Sequence, residues 1–186
     1  MKAYHFVNEK LRDGRPIPAD GELLVHDGKI ELCSAGLHAS LCPFDALQYA
    51  PGNTLCLVEM GGQIIHGSDK IVAEQRTIIA RFDAEELLFS FARKSALSVI
   101  HLWDAPSVVR EFLETGNPDL RDAARAAASA AARAAASAAA RAAASAAASA
   151  AASAAAWDAA WDAARAKQKA DFKAAVDAVF AGMGVQ

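Results

Sequence analysis

Cysteine and histidine side chains in the first third of this 186-residue sequence are its most obvious candidates for chemistry. Cys33, His38 and Cys42 follow a C-x4-H-x3-C spacing, and Cys56 lies further along the chain. A structural zinc site needs four such ligands around the metal. The closely paired cysteines of a zinc knuckle are missing, and ordinary buried thiols explain the same residues. We therefore expect no metal, and the odd number of cysteines favours free thiols in a reducing compartment.

Other common catalytic motifs are absent from the sequence. It contains no phosphate-binding loop, no nucleophile elbow and no metalloprotease helix. Asp83, Glu85 and Glu86 are clustered, but carboxylates in such a position are typical of the first turn of a helix. A net charge of −3 gives no general attraction to nucleic acid or to an anionic membrane surface. We expect neither of them as a specific partner.

Two short motifs resemble the NAD-binding half of poly(ADP-ribose) polymerase-type ADP-ribosyltransferases. Gly-Leu-His-Ala-Ser occupies residues 36–40, Ala-Leu-Gln-Tyr occupies residues 46–49, and predicted strands follow. The resemblance covers about residues 4–82. It implies an enzyme that uses NAD, in which a histidine and a tyrosine hold the dinucleotide and a glutamate stabilises an oxocarbenium-like transition state.

The same resemblance implies three catalytic residues in this sequence. His5 would hold the ribose, Tyr49 would stack on the nicotinamide, and Asp69 would take the place of the glutamate. The alternative is that Tyr49 belongs to the core and Asp69 to the surface, because a shared fold does not imply shared chemistry. A pocket open to solvent at these residues favours the enzyme, whereas a buried Tyr49 favours a binding protein.

A second resemblance, to an uncharacterised domain family of phage and prophage proteins, covers nearly the whole chain. It rests on residues 32–39, on the predicted helix around residues 45–49 and on residues 67–70. Members of that family often carry tails rich in Ala, Ser, Arg and Trp, as this chain does. The resemblance implies a phage or prophage origin and no established activity. Because the first residues lack the apolar run of a signal peptide, we expect the cytoplasm of a bacterial host.

Short strands followed by helices are predicted to position these residues, which gives an α+β fold. β-Branched and aromatic residues predict strands over residues 4–7, 23–25, 29–33, 54–60, 63–66 and 77–82. The Asp27-Gly28 pair predicts a hairpin turn between the second and the third of these strands. Helices are expected over residues 44–49 and 84–103.

The composition changes near Pro118, where we place a domain boundary. Residues 118–186 hold 36 of the 48 alanines. Gly116 is suited to the C-terminal cap of one helix, and Asn117 to the N-cap of the next, with Pro118 in its first turn. We therefore predict an α+β head over residues 1–117, small and β-rich with two helices, and a long alanine-rich helix over residues 118–186.

Alanine dominates this second segment, and after Pro118 no glycine or proline interrupts it before Gly182. Because alanine is the best helix former, we expect one unbroken helix over residues 118–181, about 95 Å long. Other residues recur at every fourth position, so they drift by about 40° per repeat and form no fixed stripe. Recurring arginines argue against a membrane span. A spacer grown from a simple repeat is the plainest interpretation.

Large apolar residues return at the end of the tail and define a predicted interaction stripe. Two tryptophans one turn apart are good anchors in any protein contact. Such a stripe is expected to be buried on the head, in a homo-oligomer or on a partner. Its members are Trp157, Trp161, Phe172, Val176 and Phe180.

Two functions follow from these observations. The first is a phage-type accessory protein that binds a host or phage protein, with the alanine-rich helix as a spacer or oligomerisation arm, and that needs no cofactor. The alternative is an NAD-dependent enzyme that resembles ADP-ribosyltransferases.

Overall fold

The computed structural model describes residues 1–11, 13–143 and 151–185. For residues 138–143 and 151–160 the description covers the backbone only. Strands come first along the chain and helices second. The strands are β1 (Lys2–Val7), β2 (Leu23–Val25), β3 (Leu37–Ala39), β4 (Thr54–His66) and β5 (Ile71–Asp83). The helices are α1 (Pro43–Ala46), α2 (Glu85–Ser98), α3 (Ser107–Thr115), α4 (Arg121–Ala143) and α5 (Ala151–Gly182).

All five strands belong to one antiparallel sheet in the order β1-β4-β5-β2, with β3 also paired to β5. Its centre is the long β4–β5 hairpin, whose two strands have 13 residues each. The register of this hairpin shifts twice, once between Leu57 and Val58 and once between Gly61 and Ile64. Such irregularities increase the bend of a strand pair. The two halves of the hairpin can therefore pair with different neighbours.

A short backbone contact closes four of the strands into a ring. β1 pairs with the first half of β4, and β3 pairs with the beginning of β5. Ser40, which directly follows β3, exchanges two backbone hydrogen bonds with Tyr4 of β1, at 2.8 and 2.9 Å. The pairing thus runs from β1 through β4, β5 and β3 back to β1.

One face of this ring carries the apolar core. Alternate residues of a strand point to opposite faces, so Ala3 and Val7 of β1 lie on this face together with His5. They pack in one buried cluster with residues from the other strands of the ring. These are Ala39, Cys56, Val58, Met60, Ile71, Ala73 and Ile78.

The opposite face of the sheet is covered by the C-terminal part of α5. Phe172, Val176 and Phe180 lie at helical spacing, and all three are at most 3% exposed. The ring centroid of Phe180 lies 5.2 Å from that of Phe82 in β5 and 6.5 Å from that of Tyr4 in β1. The C-terminal part of α5 therefore forms a second buried apolar layer on the other face of the sheet.

The chain accordingly forms two compact units. One consists of Met1–Leu87 with Ala166–Gln186, and the other of Leu88–Arg165. The domains predicted from composition, residues 1–117 and 118–186, stay a prediction.

Within the second compact unit, α3 and α4 are joined by the predicted pair of caps. Gly116 ends α3 with a φ of 69°, a left-handed conformation that glycine adopts without strain. The Asn117 side chain accepts a hydrogen bond from the backbone N–H of Asp119 at 3.1 Å, and Pro118 follows as the first residue of a 3₁₀ turn. The predicted C-cap and N-cap are confirmed.

The predicted fold class is wrong. We expected a small β-rich head with two helices and then one long helix, whereas the described residues form a five-stranded antiparallel sheet and five α-helices. Three helices precede the alanine-rich tail, and the tail itself contains α4 and α5. One physical reason is Pro106, directly after which α3 starts as a helix separate from α2. Another is that large apolar residues at the end of the tail are buried on the sheet, so the tail is not a separate segment of the fold. Residues 144–150, over which the helix was expected to continue, lie outside the described residues.

The hairpin predicted at Asp27-Gly28 is also wrong. β2 pairs with β5, where Leu24 lies opposite Arg76. Residues 29–33 form no strand; instead Glu31 and Ala35 close a tight loop, in which the Glu31 N–H donates to the Ala35 carbonyl at 2.7 Å. Ile30 is 2% exposed, so this loop is held by burial rather than by strand pairing.

No helix among the described residues is both long enough and apolar enough to cross a membrane.

The docking of α5 on the sheet predicts unequal effects of truncating its apolar residues. Phe172→Ala should lower the free energy of unfolding by about 3–5 kcal/mol, because the side chain is fully buried and its removal leaves a cavity. Met183→Ala is the matched control: Met183 is 47% exposed, so the change should stay within about 0.5 kcal/mol. Urea denaturation measures both, and equal effects would show that α5 is not held by this face.

Candidate functional site

A cavity of about 760 Å³ opens in the compact unit that contains the sheet. Its wall combines residues from β1, from the segment between residues 33 and 40, from the end of the turn after α1 and from the β4–β5 hairpin. Ligand pockets for small molecules commonly have volumes of about 300–1,000 Å³. The cavity is therefore large enough for a ligand of nucleotide size.

His5 lines this cavity from the middle of β1. It lies opposite Cys56 of β4 and is partly buried. Burial, together with the nearby charges of Arg76 and His38, lowers the pKa of His5 to about 3. At neutral pH the imidazole is therefore uncharged and is suited to hydrogen bonding rather than to anion binding.

Tyr49, Asp69 and Lys70 form a hydrogen-bonded group at the edge of the cavity. Tyr49 ends the 3₁₀ turn Leu47–Tyr49 after α1, and the other two residues belong to the turn between β4 and β5. The Tyr49 hydroxyl donates to the Asp69 carboxylate at 2.5 Å, and Lys70 Nζ donates to the Tyr49 hydroxyl at 2.8 Å. The Lys70 ammonium also lies 4.1 Å from the centre of the Tyr49 ring.

These bonds change the proton affinities of the two charged partners in opposite directions. The bond from Tyr49 lowers the pKa of the Asp69 carboxyl, and the bond to Tyr49 raises the pKa of the Lys70 ammonium. Both groups are therefore charged at neutral pH. Tyr49 itself is 48% exposed, so its ring is accessible from solvent.

The Gly-Leu-His-Ala-Ser motif at 36–40 builds the cavity wall. Gly36 has a φ of 112°, and a Cβ at this position would meet Val72 Cγ2 at 2.5 Å, so only glycine fits. His38 Nε2 accepts the Cys33 backbone N–H at 3.1 Å, which places the ring proton on Nδ1, 3.2 Å from the Gly36 carbonyl. The last residue, Ser40, closes the strand ring. This motif thus has a structural explanation in addition to its place in the cavity.

Arg76 is the cavity residue that the sequence did not reveal. It lies in β5, is 6% exposed and lines the cavity from the inner face of the ring. An arginine in the polar run of residues 74–77 normally indicates an exposed position. The signal that could have found it is strand alternation, because Arg76 shares a face with the buried Ile78 two residues later.

The three predicted catalytic residues do not all line the cavity. His5 and Tyr49 both line the cavity. Asp69 is not part of the wall among the described residues, but it contacts Tyr49 directly. The described wall adds further cations that were not predicted, Lys10, Arg15 and Lys70, against one carboxylate, Asp13.

The predicted interaction stripe is divided between different surroundings. Phe172, Val176 and Phe180 lie in the core on the sheet, whereas the Trp161 side chain is 71% exposed. The side chain of Trp157 lies outside the described residues.

The four candidate metal ligands, Cys33, His38, Cys42 and Cys56, also lie in different surroundings. Cys33 is exposed, and Cys56 is buried, which raises the pKa of its thiol to about 11. Among the described residues, no group of three or more His, Cys, Asp and Glu side chains could hold a metal ion.

Comparison with known proteins finds a family model that is similar to the first 90 residues of the chain. Residues 1–90 match the family model described as a domain of unknown function, DUF7666. The match covers β1 to β5 and the beginning of α2, and therefore all residues that line the cavity. The predicted resemblance to an uncharacterised domain is thus confirmed for these residues, while its phage origin and the link to ADP-ribosyltransferases stay predictions. No curated protein and no solved structure matches the chain.

The low pKa of His5 predicts a specific acid sensitivity. The unfolded chain takes up a proton on this residue below its ordinary pKa of 6.5, whereas the folded protein resists it until about pH 3. The contribution of His5 to stability is therefore present above pH 6.5 and is lost as the pH falls towards 3, by up to about 1.4 kcal/mol per pH unit.

His5→Gln removes this titration and should flatten the dependence of the unfolding free energy on pH between 6.5 and 4. Carboxylates titrate in both proteins, so the difference between the two slopes isolates His5. Urea denaturation at a series of pH values measures it, and parallel slopes would contradict the assignment.

Proposed function

We propose that the unit formed by Met1–Leu87 with Ala166–Gln186 is a small-molecule-binding module whose cavity takes NAD or a related nucleotide. The observation that carries the proposal is the cavity itself, because its size suits a nucleotide and its wall contains both His5 and Tyr49. These are the two residues that the resemblance to ADP-ribosyltransferases assigns to NAD. The charged side chains of the described wall are mainly cations, which suits a phosphate-bearing ligand.

The arrangement fits the separate parts of NAD. The exposed Tyr49 ring offers a stacking surface for a base or for nicotinamide. The uncharged His5 offers hydrogen bonds to hydroxyl groups of a ribose. The positive side chains of the wall would neutralise the phosphates.

Binding is better supported than catalysis. The carboxylate of Asp69, which would stabilise the transition state of ADP-ribosyl transfer, accepts the Tyr49 hydroxyl and lies beside Lys70. Both contacts reduce the negative charge that it can offer to a developing oxocarbenium ion. NAD-dependent transfer therefore stays a prediction, and release of nicotinamide that depends on Asp69 would establish it.

Calorimetry with NAD tests the proposal. The wild-type chain should bind NAD saturably, and Tyr49→Ala should weaken binding by about 5- to 150-fold, because stacking on an aromatic ring contributes about 1–3 kcal/mol. Tyr49→Phe is the matched control: it keeps the ring, loses the hydroxyl bonds and should stay closer to wild type. Absence of saturable heat at millimolar NAD with folded protein would refute the proposal.

Protein binding through the alanine-rich tail is a second candidate function. It is favoured by the 71% exposure of Trp161 in the Leu88–Arg165 unit, because exposed tryptophans are common at protein contacts. The partner would be a second copy of the chain or a host or phage protein. Light scattering of the wild type and of Trp161→Ala distinguishes a homo-oligomer from a chain that waits for a different protein.

A further inference from the structure

Arg76 is a buried cation in the cavity wall. It lies opposite Met60 of β4, which is 1% exposed, and residues directly opposite in an antiparallel pair share one face of the sheet. Its own exposure is 6%. The guanidinium is thus surrounded by the sheet on one side and by the cavity on the other.

No carboxylate within the described part of the chain forms an ion pair with this guanidinium, although Asp13 acts on it from a greater distance. Arg76 Nη1 donates one hydrogen bond, to the His38 carbonyl at 2.8 Å. Among the described residues it forms no ion pair, although a guanidinium carries five N–H donors. Most of its hydrogen-bonding capacity is therefore unused by the described residues.

Arg81, a second arginine of β5, is neutralised by an ion pair and serves as a comparison for Arg76. Arg81 pairs with Asp20, with Arg81 Nε 2.6 Å from the carboxylate, and also donates to the Pro18 carbonyl at 2.7 Å. Arg81 is not part of the described cavity wall. The unpaired arginine of β5 is therefore the one that faces the cavity.

Burying an uncompensated charge is costly, and the cost is visible at Arg76. Burial lowers the pKa of its guanidinium to about 10, which still leaves the group charged at neutral pH. A folded protein tolerates such a charge when a counter-ion reaches it. The cavity is the route by which an anion from solvent can do so.

Other cations of the wall favour the same kind of ligand. Lys10, Arg15 and Lys70 line the cavity, and Asp13 is the one carboxylate among its described lining residues. Arg15 is paired with Asp13, with its Nε 2.8 Å from the carboxylate. The remaining charge of the cavity is therefore positive, which concentrates anions within it.

We propose that Arg76 is the anchor for a phosphate group of the ligand that enters this cavity. A planar guanidinium matches the oxygens of a phosphate with two parallel hydrogen bonds. The inference rests on the proposed nucleotide-binding function, and it adds which residue holds the ligand and by which chemical group. It also makes phosphate, rather than the base or the sugar, the part of the ligand on which affinity depends most strongly.

Inorganic pyrophosphate is the probe that tests this inference on the full chain, by calorimetry at constant ionic strength. The wild type should bind it saturably, and Arg76→Gln should weaken binding by about 10- to 150-fold, as expected for the loss of charged hydrogen bonds. Arg81→Gln is the matched control, since it removes the same charge from the same strand outside the cavity, and it should bind like the wild type. Arg76→Lys keeps the positive charge but lacks the planar pair of N–H donors, so it should also bind pyrophosphate less tightly than the wild type. This variant preserves the test if Arg76→Gln fails to fold.

The outcomes separate this inference from the proposed function. Pyrophosphate binding that is equal in the wild type, Arg76→Gln and Arg76→Lys, or that is lost equally in Arg81→Gln, would overturn the assignment of Arg76. So would the absence of pyrophosphate binding by the wild type, even with NAD bound through Tyr49. Pyrophosphate binding that depends on Arg76, in a protein that does not bind NAD, supports the phosphate anchor and refutes NAD as the ligand.

Discussion

The backbone pairing between Tyr4 and Ser40 is the contact on which the rest of the sheet unit depends. It joins the edge of β1 to the end of β3, two strands that contribute residues to the cavity wall, and so closes the ring of strands. The Tyr4 side chain points to the opposite face, where its hydroxyl donates to Asp177 of α5 at 2.5 Å and its ring contacts Phe180. One residue therefore connects the wall of the cavity with the docking of the tail.

The tail is held where its composition departs from alanine. Burial of one methyl group contributes only about 0.8 kcal/mol, so an alanine surface docks weakly. Phe172, which lies 6.2 Å from Phe44 between ring centroids, supplies far more apolar area. An ion pair also holds the tail, because Lys169 Nζ lies 2.6 Å from the Asp45 carboxylate. Asp45 is only 6% exposed, so its charge would be uncompensated without Lys169. Asp45 lies in α1, just before the turn that carries Tyr49 to the cavity.

Local patterns in the sequence predicted the local elements, and long-range pairing decided the remainder. β2 is predicted at residues 23–25 and is observed there, because its apolar residues suit a strand wherever its partner lies. Its partner was predicted wrongly, since a glycine turn signals a reversal of the chain but not which strand pairs across it. Composition likewise separated the tail from the head, but it could not show that residues 172–180 pack on strands far earlier in the chain.

The site was partly predictable for the same reason. Resemblance of short motifs pointed to His5 and Tyr49, which line one cavity. Arg76 was missed because its type indicates an exposed position, and this expectation outweighed the strand alternation that places it on the face of the buried Ile78. A charge buried among apolar side chains, as at Arg76, is typical of a residue retained for function rather than for stability.

The central claim is that Arg76 is kept in the cavity for a ligand and not for the fold. The most direct test is the free energy of unfolding of Arg76→Met, compared with the wild type by urea denaturation in a buffer without phosphate or other multivalent anions. Replacing an unneutralised buried charge by an apolar side chain of similar length should leave the protein equally stable or more stable. A loss of about 3 kcal/mol or more would show that the guanidinium is part of the structural framework, and would contradict the claim.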